Sequence, residues 1–221
     1  MNTRFELIEV SKLVWGLPIR IFHWSLVGLI CVSLYTGHFG EYDSIDTHMF
    51  AGYGVLALLL FRFSFGLFAK GYARFGQFVR GPKVIAAYVK SPEKTTGHNP
   101  LGALGVLALL FSLSVQVGTG LFATDDIFVD GPLNHLVSGD TAGVLTGIHG
   151  INQRVLMGLI SLHLIAILIH EWRLGHRIVW PMVMGKKSLG NETDADRHQF
   201  GLALTCLGIG LALTYILVNK I

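Results

Sequence analysis

Charge is scarce in this chain. Asp, Glu, Lys and Arg make up 14% of the 221 residues, against roughly 25% in an average soluble domain. Hydrophobic residues reach 52% and the mean hydropathy is +0.56. That leaves too little polar side chain to cover an apolar interior, so the chain reads as an integral membrane protein. Cysteine is nearly missing as well. Cys31 and Cys206 each lie inside an apolar run, which excludes a disulfide framework and a cysteine metal site. No Cys-x-x-Cys-His occurs, so a covalently attached c-type haem is excluded too. A net charge of +3 and a pI near 8.9 do not point to nucleic acid. The basic residues lie between apolar segments, where they set membrane orientation.

A helix needs about 20 mostly apolar residues to cross a bilayer. Five stretches qualify, approximately 17–37, 48–68, 101–123, 145–170 and 201–218, and none of the fourteen acidic residues falls inside them. No small-residue cleavage site follows the first stretch, so it is not a removable signal peptide. No internal repeat or low-complexity linker is evident. The loops following the first and third stretches lack Lys and Arg altogether. The first holds Glu41, Asp43 and Asp46, and the third holds Asp125, Asp126, Asp130 and Asp140. The loop after the second carries Lys70, Arg74, Arg80, Lys83, Lys90 and Lys94 against Glu93. The loop after the fourth carries Arg173, Arg177, Lys186, Lys187 and Arg197. This asymmetry places the N-terminus and both basic loops in the cytoplasm, with the C-terminus outside. Within the long basic loop, residues 75–79 and 84–89 form a weakly amphipathic stretch that suits either a membrane surface or a solvated connection.

Ionisable groups inside a membrane are costly, and a functional role is their default reading. Here they are mostly histidines. His149 and His163 lie fourteen residues apart in the fourth stretch, ~21 Å of helical rise, and within about 40° of one another around the helix axis. By depth, His48 falls at the external level with His149, and His23 at the cytoplasmic level with His163. Two imidazoles can hold one haem iron from opposite faces, so the spacing predicts two bis-histidine b haems stacked across the bilayer. His38 and His170 are rival ligands at the interfaces, whereas His135, His176 and His198 belong to loops. Haem propionates call for cations. Arg20, one turn before His23, and Arg154, deep in the fourth stretch, are the candidates. Gly52, Gly54, Gly147, Gly150 and Gly158 cluster near the histidines and permit close approach.

Several motifs resemble the di-haem b-type cytochrome subunits of membrane-bound nickel–iron hydrogenases and their bacterial relatives. Arg20-Ile21-Phe22-His23-Trp24 opens the first helix, and His48 opens the second. His98-Asn99-Pro100-Leu101-Gly102 precedes the third, which closes on Gln116 and Thr119-Gly120-Leu121-Phe122. The His149–His163 spacing completes a likeness covering roughly residues 12–187. The resemblance implies an all-α four-helix membrane bundle with two haems between its helices. The same four histidines would be the ligands. Electrons would pass between a partner, a periplasmic redox enzyme or c-type cytochrome, and quinone or quinol dissolved in membrane lipid. Residues 1–187 would form the di-haem domain, and residues 188–221 a linker and an additional transmembrane helix outside the common core. His98 and Asn99 offer a quinone site, or a plain helix cap. Two other functions fit the same residues: a stand-alone quinone oxidoreductase acting on superoxide or metal ions, and a haem-free transporter or anchor.

Overall fold

A computed structural model describes residues 11–13, 15–39, 44–91, 99–173, 175, 177–188 and 199–220. Helices dominate it, and among the described residues five are long and apolar enough to cross a membrane. These are α1 (Leu17–His38), α2 (Ile45–Phe68), α5 (Pro100–Gly120), α6 (Gly139–Leu168) and α8 (Phe200–Asn219). Three short helices occupy the connections: α3 (Phe75–Phe78), α4 (Pro82–Lys90) and α7 (Val179–Met184).

The five apolar stretches are all realised, with shifted ends. Hydropathy sees only the apolar part of a helix, and capping turns lie beyond it. Helix α6 begins at Gly139, where the Ser138 hydroxyl accepts the Thr141 N–H at 3.3 Å. Helix α2 begins at Ile45 with Asp46 in its first turn, where a carboxylate suits the positive end of the helix dipole. Helix α5 stops at Gly120 because the chain turns there: Gly131 donates to the Ala123 carbonyl at 2.7 Å and Leu133 to the Leu121 carbonyl at 2.8 Å. Pro18, Pro82 and Pro100 each sit in the first turn of a helix, where the missing N–H has no helical acceptor. Helix α6 ends in a π-turn over Ile169–Arg173 that carries His170.

Helix α2 is the hub. It packs along α1 on one side and α8 on another, while α5 and α6 form a second antiparallel pair. The core draws on all five helices, with Phe22 and Leu26 from α1, Phe61 and Phe65 from α2, Leu113 from α5, Leu156 from α6 and Cys206 from α8. Lipid chains are as apolar as leucine, so close fit rather than water exclusion drives such contacts. Gly210 provides one, since a Cβ there would come within 2.7 Å of the Ala57 carbonyl oxygen. The fifth helix is therefore seated tightly on the second.

The loops give the bundle an acidic end and a basic end. At the basic end, strand β1 (Ser11–Leu13) pairs antiparallel with β2 (Lys186–Ser188), Lys12 opposite Lys187. At the acidic end, residues 124–130 form a tight hairpin whose Asp125 Oδ1 accepts the N–H groups of Phe128 and Val129 at 2.8 Å and Ile127 at 3.0 Å. The Val129, Ile127 and Phe128 N–H groups hold the Asp125 carboxyl below the usual carboxylate range. Asp46 and the four loop aspartates lie at this end; Glu41 and Asp43 are outside the described residues, as are His98, His176 and His198.

Candidate functional site

The structure brings His48 and His149 together. Their ring centroids are 6.2 Å apart and the rings are steeply inclined, at 75°. His48 Nδ1 donates to the Ser33 carbonyl of α1 at 2.8 Å, and His149 Nδ1 donates to the Gln116 carbonyl of α5 at 2.9 Å. A carbonyl can only accept, so each Nδ1 carries the proton and each Nε2 keeps a free lone pair.

Both carbonyls sit in the same local device. Thr36 Oγ1 donates back to the Val32 and Ser33 carbonyls. Thr119 Oγ1 donates back to the Val115 and Gln116 carbonyls. Such back-bonding bends a helix and loosens its ladder, which turns the acceptor carbonyl toward the ring. One residue on, each helix has glycine. A Cβ at Gly37 would meet His48 Cε1 at 2.7 Å, and one at Gly120 would meet His149 Cε1 at 2.9 Å, well inside van der Waals contact. Thr-Gly following a carbonyl acceptor thus occurs twice, in Ser33–Gly37 and in Gln116–Gly120. The sequence showed no repeat because only the Thr-Gly pair is shared.

A cavity of about 420 Å³ adjoins both rings, lined by residues of α1, α2, α5 and α6 and by the acidic-end loop, with Ile30, Val55, Leu113 and Leu156 on its walls. That volume lies in the range of cofactor pockets, roughly 300–1,000 Å³. The residues fit a bis-histidine haem. Two metal–nitrogen bonds of about 2 Å, with the ring centres about 1 Å further out, put imidazole centroids roughly 6 Å apart. Nδ1–H bound to a carbonyl is the usual second partner of a metal-ligating histidine.

His23 and His163 lie toward the basic end, both half-buried and within electrostatic reach of each other. His23 packs edge-on against Trp24 at 5.1 Å. Its Nδ1 is buried without a hydrogen-bond partner, as is Arg20 Nε one turn away. Two orphaned buried polar atoms side by side call for a group from outside the chain, which a haem with its propionates would supply. Arg20 Nη1 also donates to the Val183 carbonyl at 2.5 Å, and Trp24 Nε1 donates to the Met182 carbonyl at 3.2 Å. These bonds tie α1 to the segment following α6.

The remaining candidates are placed differently. Arg154 is exposed, and its Nε donates to the Gly150 carbonyl of its own helix at 3.4 Å. Among the described residues no Lys or Arg lines the cavity. His38 is exposed at the end of α1, edge-on to Phe39. Asn99 caps α5, its Oδ1 accepting the Gly102 N–H at 2.6 Å.

Sequence reasoning overlooked two features. Arg62, only 4% exposed, donates to the Ala73 carbonyl at 3.1 Å and stacks 4.3 Å over Phe75. An arginine inside an apolar stretch was the available signal. The other is Asn152, hydrogen-bonded across to α5, and a single asparagine in a helix carries no such signal.

Five apolar helices with histidines facing one another inside the bundle suit a membrane cytochrome b. The model of the prokaryotic cytochrome b561 family matches residues 14–185, and the chain belongs to that family. The resemblance carried by the motifs is borne out. Membership makes this a membrane electron-transfer protein that binds haem b. Helix α8 lies beyond the matched residues. Searches of curated proteins and of solved structures returned no match.

Proposed function

We propose that the chain carries electrons through two b haems between a redox partner protein and the quinone pool. His48 and His149 hold one at the acidic end, and His23 and His163 hold the other at the basic end. The observation that carries this reading is the 6.2 Å separation of the His48 and His149 rings, each oriented by a backbone carbonyl. When bound, haem b supplies a one-electron iron couple at each level. The protein's own part is to fix the ligands. The Ser33 and Gln116 carbonyls hold the outer pair of rings with their free nitrogens toward the metal position. The apolar walls formed by Ile30, Val55, Leu113 and Leu156 lower the dielectric around the rings. Helix α6 spaces the two levels by ~21 Å along its axis.

The loop charges support an orientation with the basic end, and hence the N-terminus, in the cytoplasm of a bacterial inner membrane. A soluble electron donor or acceptor, a periplasmic redox enzyme or c-type cytochrome, then meets the acidic end. Arg20, beside the orphaned His23 Nδ1, is the cation for a propionate of the basic-end haem. Residues 1–187 form the di-haem domain, with 188–221 as linker and added helix.

The test is a pyridine haemochrome assay on the full chain purified from membranes. Two non-covalent haems per chain are expected, and one after replacement of either outer histidine.

A further inference from the structure

A polar network crosses from α6 to α5 inside the apolar bundle. Asn152 Nδ2 donates to the Ser112 carbonyl at 2.9 Å and to Gln116 Oε1 at 2.7 Å. Ser112 Oγ donates to Asn152 Oδ1 at 3.1 Å. Ser112 is 3% exposed, while Asn152 and Gln116 are half-buried, and Gln116 reaches the cavity wall. The Asn152 carboxamide has both its ends engaged, which repays the cost of an amide in an apolar setting.

Its place explains its presence. Asn152 lies three residues after His149, on the same face of α6. Gln116, whose side chain it holds, is the residue whose carbonyl accepts His149 Nδ1–H. Helix α6 therefore grips α5 at two successive points, the imidazole at the Gln116 carbonyl and the carboxamide one turn deeper. Among the described residues the matching half of the molecule shows no such grip. Three residues after His48 stands Ala51, 3% exposed, and one turn before Ser33 stands Leu29, whose side chain packs toward Gly54. The ring of His48 is oriented from α1, by the Ser33 carbonyl, with the Ser33 hydroxyl 3.4 Å from the same nitrogen, and by Gly37.

We propose that Asn152 is a positioning residue for His149: by clamping Ser112 and Gln116 it sets the register of α5 on α6 and so the strength of the His149 hydrogen bond. This rests on the reading of His149 as a haem ligand. A firm Nδ1–H···O=C bond makes an imidazole more electron-donating and favours the oxidised metal. Loosening the clamp weakens that bond and raises the potential of the outer haem.

The experiment is a spectroelectrochemical titration of the full-length membrane protein carrying Asn152→Leu, with Ser112→Ala and Gln116→Leu alongside. Asn152→Leu shifts the outer component upward and leaves the inner one in place. Ser112→Ala, which changes little volume, gives a smaller shift of the same sign and keeps the test open if Asn152→Leu fails to assemble. Unchanged potentials, or equal movement of both components, in the variants that assemble overturn the clamp. His149→Ala separates the two failures. If it still binds two haems, the ligand assignment is wrong; if it loses one while the clamp variants titrate like wild type, only the clamp is wrong.

Discussion

The two histidine pairs share the imidazole and differ in how the chain holds it. At the acidic end each Nδ1 is committed to a main-chain carbonyl, and each ring rests against a glycine. At the basic end His23 Nδ1 is buried with no partner, and the surrounding bonds go to its neighbours Arg20 and Trp24. The first pair is oriented from within the protein before any cofactor arrives. The second depends on what binds. Carbonyl-bound imidazoles donate more strongly, so on the proposed assignment the acidic-end haem would be the lower-potential one, and an electron entering there would run downhill toward the basic end.

The largest expected effect comes from deleting ligands. His48→Ala or His149→Ala halves the haem content and removes the lower-potential component, and His23→Ala or His163→Ala removes the higher. If either member of a pair can be deleted without loss, the pairing by depth fails and His38 or His170 enters. Next come the glycines. Valine at Gly37 or Gly120 drives a side chain into its histidine ring, and overpacking costs about 1–3 kcal/mol, roughly a five- to 150-fold loss of affinity. Haem titration of the purified variants measures it; the basic-end haem should bind as before.

The five spans were legible because apolar length is a composition signal that tertiary packing does not alter. The His149–His163 spacing was legible for a similar reason, since both residues lie on one continuous helix. The cradles were not. Ser33 and Gln116 act through main-chain carbonyls, which any residue possesses, and only the Thr-Gly that follows gives them away. Gln116, Thr119 and Gly120 stood out as part of a motif, whereas their counterparts Ser33, Thr36 and Gly37 did not. Arg154 drew attention by its depth in the sequence, yet its side chain is exposed and bonded to its own helix. The buried arginine is Arg62, held by aromatic rings that arrive from the following loop.

Arg62 sharpens the comparison from the basic side. Arg62→Lys keeps the charge but loses the planar stacking and fork geometry, at a cost of about 1–2 kcal/mol from the desolvated cation–π contact. Its signature is a lower unfolding temperature and faster proteolysis at residues 71–79, with the acidic-end haem potential unmoved. A shift of that potential would show that the two halves are coupled through α2.

The smallest effect belongs to the acidic-end hairpin. Asp125 has a lowered carboxyl pKa in the folded loop, so its contribution is fully present above the unfolded value of 3.8 and is lost as pH falls through the folded one. Amide exchange at Ile127, Phe128 and Val129, corrected for intrinsic rates, should quicken over that acid range. In Asp125→Ala it is fast throughout. Protection that persists in Asp125→Ala would remove the carboxylate from the account.

The central claim is that two histidine pairs at two depths hold two haems of unequal potential. A spectroelectrochemical titration of the wild-type protein in membranes, with absorbance followed at the b-type bands, addresses it directly. The account predicts two one-electron components of equal amplitude, of which His149→Ala abolishes the lower. A single component, or loss of the higher one in His149→Ala, would contradict it.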